Sequence, residues 1–184
     1  MTTPEPMWTG LVLAGGRSSR MGQDKAALLW QGKPLLQHMQ ALLHAAGAQR
    51  VVVSGNYPEE NGIPDLISEL GPLGGLTSVA SALPDGPLLI VPVDMPQLTP
   101  ELLTTLAQRP EHCLCYAEHM LPMRLQLDAT SRQFLSTCAQ RPPRERSLHA
   151  LHAALQGQFL AIPEGALAQL HNVNTPEQWQ EATA

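Results

Sequence analysis

Three short apolar runs, each followed by a turn and a helical pattern, constrain the fold of this chain most. They cover residues 11–14, 51–53 and 88–93. Short apolar runs rich in β-branched residues are typical of buried parallel strands. Parallel strands that alternate with helices are joined by right-handed crossovers. The pattern therefore predicts an α/β fold with a mostly parallel central sheet.

The segments between these runs carry helix start and stop signals. Apolar residues recur close to the helical period from Leu35 to Leu43, and Gly47 is placed to end that helix. Thr99 followed by Pro100 predicts another helix start. We also expect helices over 76–83, over 148–155 behind Ser147, and after a capping box at 175–178, and strands over 113–117, 124–127 and 158–162.

Composition excludes several classes of protein. The length of 184 residues predicts one domain spanning residues 1–184. The hydrophobic content of 43% is ordinary for a globular protein. A net charge of −5 argues against a nucleic-acid binder, and no apolar run is long enough for a membrane span. The three cysteines show no C-x-x-C pattern, which together with a polar start predicts a reducing, cytoplasmic location. His149 and His152 could share a metal, but without an evident third ligand a solvated helix face is the better interpretation.

A glycine turn with basic residues follows the first apolar run. Gly15 and Gly16 end the run, and Arg17, Arg20 and Lys25 follow. Glycines let backbone N–H groups approach phosphate oxygens, while arginine and lysine supply full charges. The spacing fits neither G-x-G-x-x-G nor the Walker A pattern. The segment indicates a polyphosphate site, with a plain surface loop as the alternative.

Polar residues follow the other predicted strands. Asp94 comes directly after the most apolar run, at the strand end where α/β sheets bind ligands. It is suited to hold Mg²⁺ between a carboxylate and phosphates, although a simple strand-ending turn would also use aspartate. Asn172 and Asn174 project to one side of an extended segment and could face a metal or phosphate, or cap the next helix. The glycines of residues 71–75 could hold a ligand or only turn the chain.

Several motifs, in the same order along the chain, resemble those of the MobA-like nucleotidyltransferases. They are Leu13-Ala14-Gly15-Gly16, Arg20-Met21-Gly22, Asp24-Lys25, Gly32-Lys33-Pro34-Leu35, Gly71-Pro72-Leu73, Val93-Asp94-Met95-Pro96 and Asn172-Val173-Asn174-Thr175-Pro176-Glu177. The resemblance implies a three-layer, Rossmann-like fold of the nucleotide-diphospho-sugar transferase type. It also implies transfer of GMP from GTP to molybdopterin carrying molybdenum, with Mg²⁺ as cofactor and release of pyrophosphate. The guanylyltransferase branch fits better than the cytidylyltransferase branch, which usually has acidic residues where the two asparagines stand.

The resemblance also implies roles for individual residues. Lys25 would contact the phosphates and act with Arg20 in catalysis, and Asp94 would bind both Mg²⁺ and nucleotide. Asn172 and Asn174 would lie near the reacting phosphates or the pterin. The remaining nucleotide contacts would come from Leu13, Ala14, Gly15, Gly16 and Asp65, and from Asn56, because Ser54 replaces an asparagine of the family.

Partners and alternatives follow from the same resemblance. GTP and molybdopterin are the expected small-molecule partners, with pterin-delivering proteins and molybdoenzyme chaperones as further partners, and with neither nucleic acid nor membrane. A first alternative is another nucleotidyltransferase that acts on a sugar phosphate or uses CTP. A second is a non-catalytic nucleotide-binding adaptor. Retention of Arg20, Lys25 and Asp94 together favours an enzyme.

Overall fold

The computed structural model describes residues 7–15, 24–67, 70–175 and 178–180. The strands are β1 (Thr9–Leu13), β2 (Leu29–Trp30), β3 (Lys33–Pro34), β4 (Arg50–Ser54), β5 (Gly62–Ile63), β6 (Gly86–Pro92), β7 (Cys113–Tyr116), β8 (Met123–Leu127) and β9 (Gln158–Leu160). The α-helices are α1 (Leu35–Ala45), α2 (Pro72–Ala82), α3 (Pro100–Ala107), α4 (Ala129–Thr137) and α5 (Leu148–Ala154). Short 3₁₀ helices span Lys25–Ala27, Pro58–Glu60, Cys138–Gln140, Pro143–Glu145 and Leu167–Leu170.

Seven of the strands form one sheet in the order β5-β4-β1-β6-β8-β7-β9. β8 runs antiparallel to its neighbours β6 and β7, and the other described pairings of this sheet are parallel. The predicted α/β fold with a mostly parallel sheet is confirmed. The apolar runs form the central strands because these are buried on both faces.

Helices cover the sheet on both sides, which gives three layers. One core contains Met39 of α1 and Leu103 of α3, and the other contains Leu76 of α2, Phe134 of α4 and Leu151 of α5. The packing of α1 on β1 is close, since a Cβ added at Gly10 would lie 2.9 Å from Leu43 Cδ1. Within the described ranges, every helix falls short of the length and apolar character needed to cross a bilayer.

Helix α4 and the hairpin β2–β3 were not predicted. The helix begins at a capping box, in which the Asp128 carboxylate accepts from the backbone N–H groups of Thr130 and Ser131 at 3.0 Å each. It buries few apolar side chains, so its periodicity in the sequence is weak. The hairpin turns through Gln31 and Gly32, which have φ angles of 50° and 81°.

The solvated helix face predicted for His149 and His152 is confirmed only for His149. That residue is exposed, whereas His152 is 6% exposed and its ring centroid lies 4.5 Å from that of Phe159. The chain packs against this ring at Gly157, where an added Cβ would clash with it. The three cysteines are free and buried, and burial raises the pKa of Cys113 to about 12, so this thiol stays protonated.

Candidate active site

The carboxyl ends of three central strands meet at one edge of the sheet. Leu13, the last residue of β1, is in register with Ser54 of β4 and with Pro92 of β6. From β1 the chain adds β4 on one side and β6 on the other, so the loops after these strands diverge. Ligands of open α/β sheets bind in the crevice that such a divergence opens. The loop at Gly15 and the turn at Asp94 both begin here.

Lys25, Asp94 and Asn174 come together at this edge. The Lys25 ammonium donates to Asn174 Oδ1 at 2.6 Å, to Asp94 Oδ2 at 3.3 Å and to the carbonyl oxygen of Val173 at 3.3 Å. The side chains of Lys25 and Asp94 are 15% and 19% exposed. Three segments far apart in the sequence thus form one polar cluster, and partial exclusion of water strengthens its charge interactions.

The oxygen atoms of this cluster suit a hard cation. Three of them already converge on one ammonium group. Mg²⁺ takes oxygen ligands and is commonly held by one or two carboxylates together with phosphates and waters. Among the described residues, no three His, Cys, Asp or Glu side chains gather as a metal site. A divalent ion at this point would have Asp94 as its carboxylate ligand, with the oxygen atoms of Asn174 and Val173 close by.

Asp24 and Tyr57 fix the position of Lys25. The Asp24 carboxylate caps the 3₁₀ helix by accepting from Ala26 N at 3.0 Å. The Tyr57 hydroxyl donates to the same carboxylate at 3.0 Å. Burial, together with the Asp24 carboxylate, raises the pKa of Tyr57 to about 12, so the hydroxyl remains a donor at physiological pH. Neither role was predicted: aspartate before a helical segment could have indicated the cap, but no local signal indicated Tyr57.

The C-terminal segment presents Asn174 to the lysine. Gln178 Oε1 accepts from Asn174 N at 2.8 Å and from Thr175 N at 3.2 Å, while Gln178 N donates to Thr175 Oγ1 at 3.2 Å. This confirms the predicted capping box. Trp179 packs edge-on against Trp30, with centroids 5.6 Å apart. The cap uses backbone N–H groups, which leaves the Asn174 side chain to Lys25.

A glycine cluster of Gly15, Gly55 and Gly75 lies with Ser54 and Asp65 beside the end of β1. A Cβ added at Gly15 would lie 2.8 Å from Asp65 Oδ2, and one added at Gly75 would lie 3.1 Å from Asp65 Oδ1 and clash with Ser54 Oγ. Gly55, next to Ser54, has a φ of +123° and places the backbone close to Gly15 N. Burial raises the pKa of Asp65. Glycine is required at these positions because the Asp65 carboxylate and the backbones approach so closely.

The glycines of residues 71–75 start a helix earlier than predicted. α2 begins at Pro72, behind Gly71 with a φ of +55°. A Cβ at Gly74 would lie 2.7 Å from the carbonyl oxygen of Ile67. Leu66 N donates to Ser78 Oγ at 2.8 Å. The motif thus turns the chain and also anchors the segment that carries Asp65.

A cleft of about 830 Å³ lies next to the cluster of Lys25, Asp94 and Asn174, which is called the Lys25 cluster below. Asn172 and Val173 line it, and Val173 N donates to the carbonyl oxygen of Asp94 at 2.8 Å. Its other lining residues are Pro92, Met95, Gln97, His119, Met120, Leu121, Leu148, Ala168, Leu170, His171 and Gln178.

The remaining predicted site residues fall into two groups. Leu13 is buried at the end of β1, Ala14 follows it, and Asn56 is exposed and follows Gly55 of the glycine cluster. Gly16 and Arg20 lie outside the described residues.

Comparison with known proteins identifies the family. The family model of the MobA-like NTP transferase domain matches residues 10–172. A relative from Xanthomonas euvesicatoria pv. vesicatoria (strain 85-10), named molybdenum cofactor guanylyltransferase, is 53% identical over 181 residues, which cover 97% of this chain and 95% of that protein. The chain belongs to the MobA-like NTP transferase family.

Solved structures show that the fold is that of MobA-like and related nucleotidyltransferases. Molybdopterin-guanine dinucleotide biosynthesis protein A from Archaeoglobus fulgidus superposes with a TM-score of 0.75 at 20% identity, covering 95% of this chain and 96% of that one. The 2-C-methyl-D-erythritol 4-phosphate cytidylyltransferase from Thermus thermophilus superposes with a TM-score of 0.66 at 14% identity, covering 96% and 98%. At such identities the likeness concerns the fold alone.

Proposed function

We propose that this chain transfers GMP from GTP to molybdopterin carrying molybdenum and releases pyrophosphate. The observation that carries the proposal is the 53% identity to the Xanthomonas molybdenum cofactor guanylyltransferase across 97% of this chain. The polar cluster of Lys25, Asp94 and Asn174, which lies next to a cleft and at the same sheet edge as the glycine cluster, supports it. Two ligand sites that meet at one reactive cluster suit a group transfer between two substrates.

In the proposed reaction an oxygen of the acceptor's terminal phosphate forms a bond to the α-phosphorus of GTP. The bond from that phosphorus to the bridging oxygen of the β-phosphate breaks, and its electron pair leaves with pyrophosphate. The attacking phosphate is already anionic near neutral pH and needs no general base. The main barrier is repulsion between two anions, together with their alignment for in-line attack.

The glycine cluster around Asp65 is the proposed nucleotide site. Gly15 and Gly75 pack against the Asp65 carboxylate, which we propose as the acceptor for nucleoside hydroxyl or N–H groups. Gly16 and Arg20 complete this side in the proposal, as the family resemblance implies. The exposed Asn56 follows Gly55 and belongs to this site in the proposal.

Lys25 and Asp94 are the proposed reaction centre. The ammonium of Lys25 neutralises charge on the phosphates, and it must turn from Asn174 and Asp94 toward the nucleotide when GTP binds. The Asp94 carboxylate released by this movement would hold Mg²⁺. The ion, when bound, screens the phosphates and stabilises charge on the leaving pyrophosphate.

The cleft lined by Asn172 is the proposed acceptor site. Its apolar walls and few polar groups are typical of sites for heterocyclic ligands.

We place the enzyme in the cytoplasm, where its three free, buried cysteines suit a reducing environment. Pterin-delivering proteins and chaperones of molybdoenzymes are its proposed protein partners.

Acceptor-dependent pyrophosphate release tests the proposal. The protein is incubated with Mg²⁺, molybdopterin carrying molybdenum, and GTP, CTP, ATP or UTP in separate reactions. We expect release with GTP only, and none without the acceptor. Acceptor-dependent release with CTP but not with GTP would instead indicate a cytidylyltransferase. Binding of GTP without acceptor-dependent release would indicate a nucleotide-binding adaptor.

A further inference from the structure

The cleft beside the Lys25 cluster has apolar walls with hydrogen-bonding groups between them. Met95, Leu121 and Leu170 are among its apolar residues, and Asp, Glu, Lys and Arg are absent from the described lining. A flat heterocycle fits such walls, but its orientation must then be set by neutral polar side chains. Gln97, His119, His171, Asn172 and Gln178 are the side chains of that kind.

His119 is a lining residue whose ring is held by the backbone of its own turn. It ends a tight turn in which His119 N donates to the carbonyl oxygen of Tyr116 at 3.0 Å. The preceding residue, Glu118, has a φ of 65° in the left-handed region. The ring nitrogen Nδ1 lies 2.9 Å from the carbonyl oxygen of Ala117. The ring is therefore tied to its own turn, and the residue is only partly exposed.

This contact determines which ring nitrogen can serve a ligand. A carbonyl oxygen only accepts, so Nδ1 must carry the proton that it donates to Ala117. In the neutral ring, Nε2 is then left with a lone pair and is a hydrogen-bond acceptor. Two other polar residues of the cleft differ from His119. His171 is exposed, and Gln178 Oε1 already accepts a hydrogen bond in the cap at Thr175.

We propose that His119 binds the acceptor substrate and sets its orientation, with Nε2 accepting a hydrogen bond from an N–H group on the edge of the heterocycle. The inference rests on the proposed function and deepens it. With the ring edge held at His119, the phosphate arm of the acceptor extends past Asn172 toward Asp94, whose backbone is tied to the cleft through Val173. His119 acts on alignment and is separate from the groups that meet the reacting phosphates.

The test uses a pterin that carries a phosphate monoester on its side chain, followed by its own fluorescence. Its affinity is measured for the unaltered protein and for His119→Ala, His119→Gln and His149→Ala. Glutamine keeps an acceptor near the position of Nε2, and His149 is an exposed histidine on α5. GTP binding in the presence of Mg²⁺ and the melting temperature are measured for each variant as checks of the nucleotide site and of folding.

We expect His119→Ala to weaken pterin binding about fivefold to tenfold, as loss of one hydrogen bond implies, and to raise KM for the acceptor more than it lowers kcat. His119→Gln should recover most of the affinity, His149→Ala should bind normally, and GTP binding should be unchanged throughout. Equal pterin binding by His119→Ala would overturn the inference and leave the proposed function standing. Equal losses in His119→Ala and His119→Gln would assign the effect to the turn and also overturn it. Failure of the unaltered protein to bind the pterin while it binds GTP would contradict the proposed acceptor itself.

Discussion

At the scale of single residues, Lys25 is the group that we propose meets the phosphates of the nucleotide. Its ammonium group is shared by Asp94, Asn174 and the carbonyl oxygen of Val173. In the proposal, a triphosphate competes for this cation, and a divalent ion competes for the Asp94 carboxylate. The two roles are separate, so each residue can be tested by its own substitution.

Replacing Asp94 by asparagine should abolish most turnover without unfolding the protein. Asp94→Asn keeps the size of the side chain but removes the charge that would hold Mg²⁺, so we expect kcat to fall about 100-fold or more. Steady-state pyrophosphate release measures the effect. Asp85→Asn is the matched control. Asp85 is exposed and pairs with Arg132, 47 positions later in the chain, at 2.8 Å. Normal kcat in Asp94→Asn would remove Asp94 from the mechanism.

Replacing Lys25 by methionine should weaken GTP binding. Lys25→Met keeps the aliphatic stem but loses a charge-assisted contact to phosphate, for which we expect about a tenfold loss of affinity. Titration calorimetry with GTP and Mg²⁺ measures it. Lys33→Met, at an exposed lysine of β3, is the control and should bind GTP normally. Unchanged affinity in Lys25→Met would show that the ammonium does not meet the nucleotide.

At the scale of elements, the cap of α4 contributes a pH-dependent part of stability. Burial alone would raise the pKa of Asp128, but hydrogen bonds from Ser131, His112 and Thr130 together hold it below its ordinary value. A carboxyl group with a lowered folded-state pKa stabilises the fold fully above its unfolded pKa, about 3.9, and loses this contribution as the pH falls from there through its lower folded-state pKa.

Asp128→Asn should therefore flatten the acid dependence of unfolding. Asparagine still caps the helix, so at pH 7 we expect a loss below about 1 kcal/mol, because the carboxylate is one-third exposed and partly screened. Denaturant unfolding at neutral and at acid pH gives the free energies. The difference in the free energy of unfolding between the unaltered protein and Asp128→Asn should shrink as the pH falls below about 4. A difference that is constant with pH would show that the charge of Asp128 is without effect.

The central elements could be predicted because their signals are local. β1, β4 and β6 are apolar runs buried on both faces, and α3 begins at the Thr99 cap that its sequence indicates. The start of α2 was missed because glycine has low helix propensity, and here close contacts of Gly74 and Gly75 with neighbouring segments override it.

The candidate site shows the same division. Lys25 and Asp94 lie in segments that follow β1 and β6, so their meeting could be expected from the topology of a parallel sheet. Asn174 follows a 3₁₀ helix, and only the family resemblance placed it near the reacting phosphates. Tyr57 reaches Asp24 across 33 positions of the chain, and the cleft forms from segments whose neighbours only the tertiary fold decides. Such contacts depend on long-range packing and leave no periodic signal in the sequence.

At the scale of the whole molecule, one sheet edge carries the two proposed ligand sites. The glycine cluster lies by β1 and β4, and the cleft and the Lys25 cluster lie by the end of β6. In the proposal, this arrangement brings a nucleotide and an acceptor to one point from two sides. The family resemblance and the continuous sheet support the proposal that residues 1–184 form one domain.

A single domain predicts one cooperative unfolding transition that shifts with ligand. We expect one calorimetric peak, with calorimetric and van't Hoff enthalpies equal. GTP with Mg²⁺ at about 100 times its dissociation constant should stabilise the protein by about 2.7 kcal/mol. CTP at the same concentration is the control and should stabilise it less. Two separate transitions, with only one shifted by GTP, would contradict the single domain.

The fate of the α-phosphorus tests the central claim most directly. GTP labelled at its α-phosphate is incubated with the protein, Mg²⁺ and molybdopterin carrying molybdenum, and the products are separated. Transfer of GMP predicts that the label moves to the pterin product in equal amount to the pyrophosphate released, and that Asp94→Asn leaves it in GTP. Label recovered as free GMP or GDP, with none on the pterin, would contradict the account.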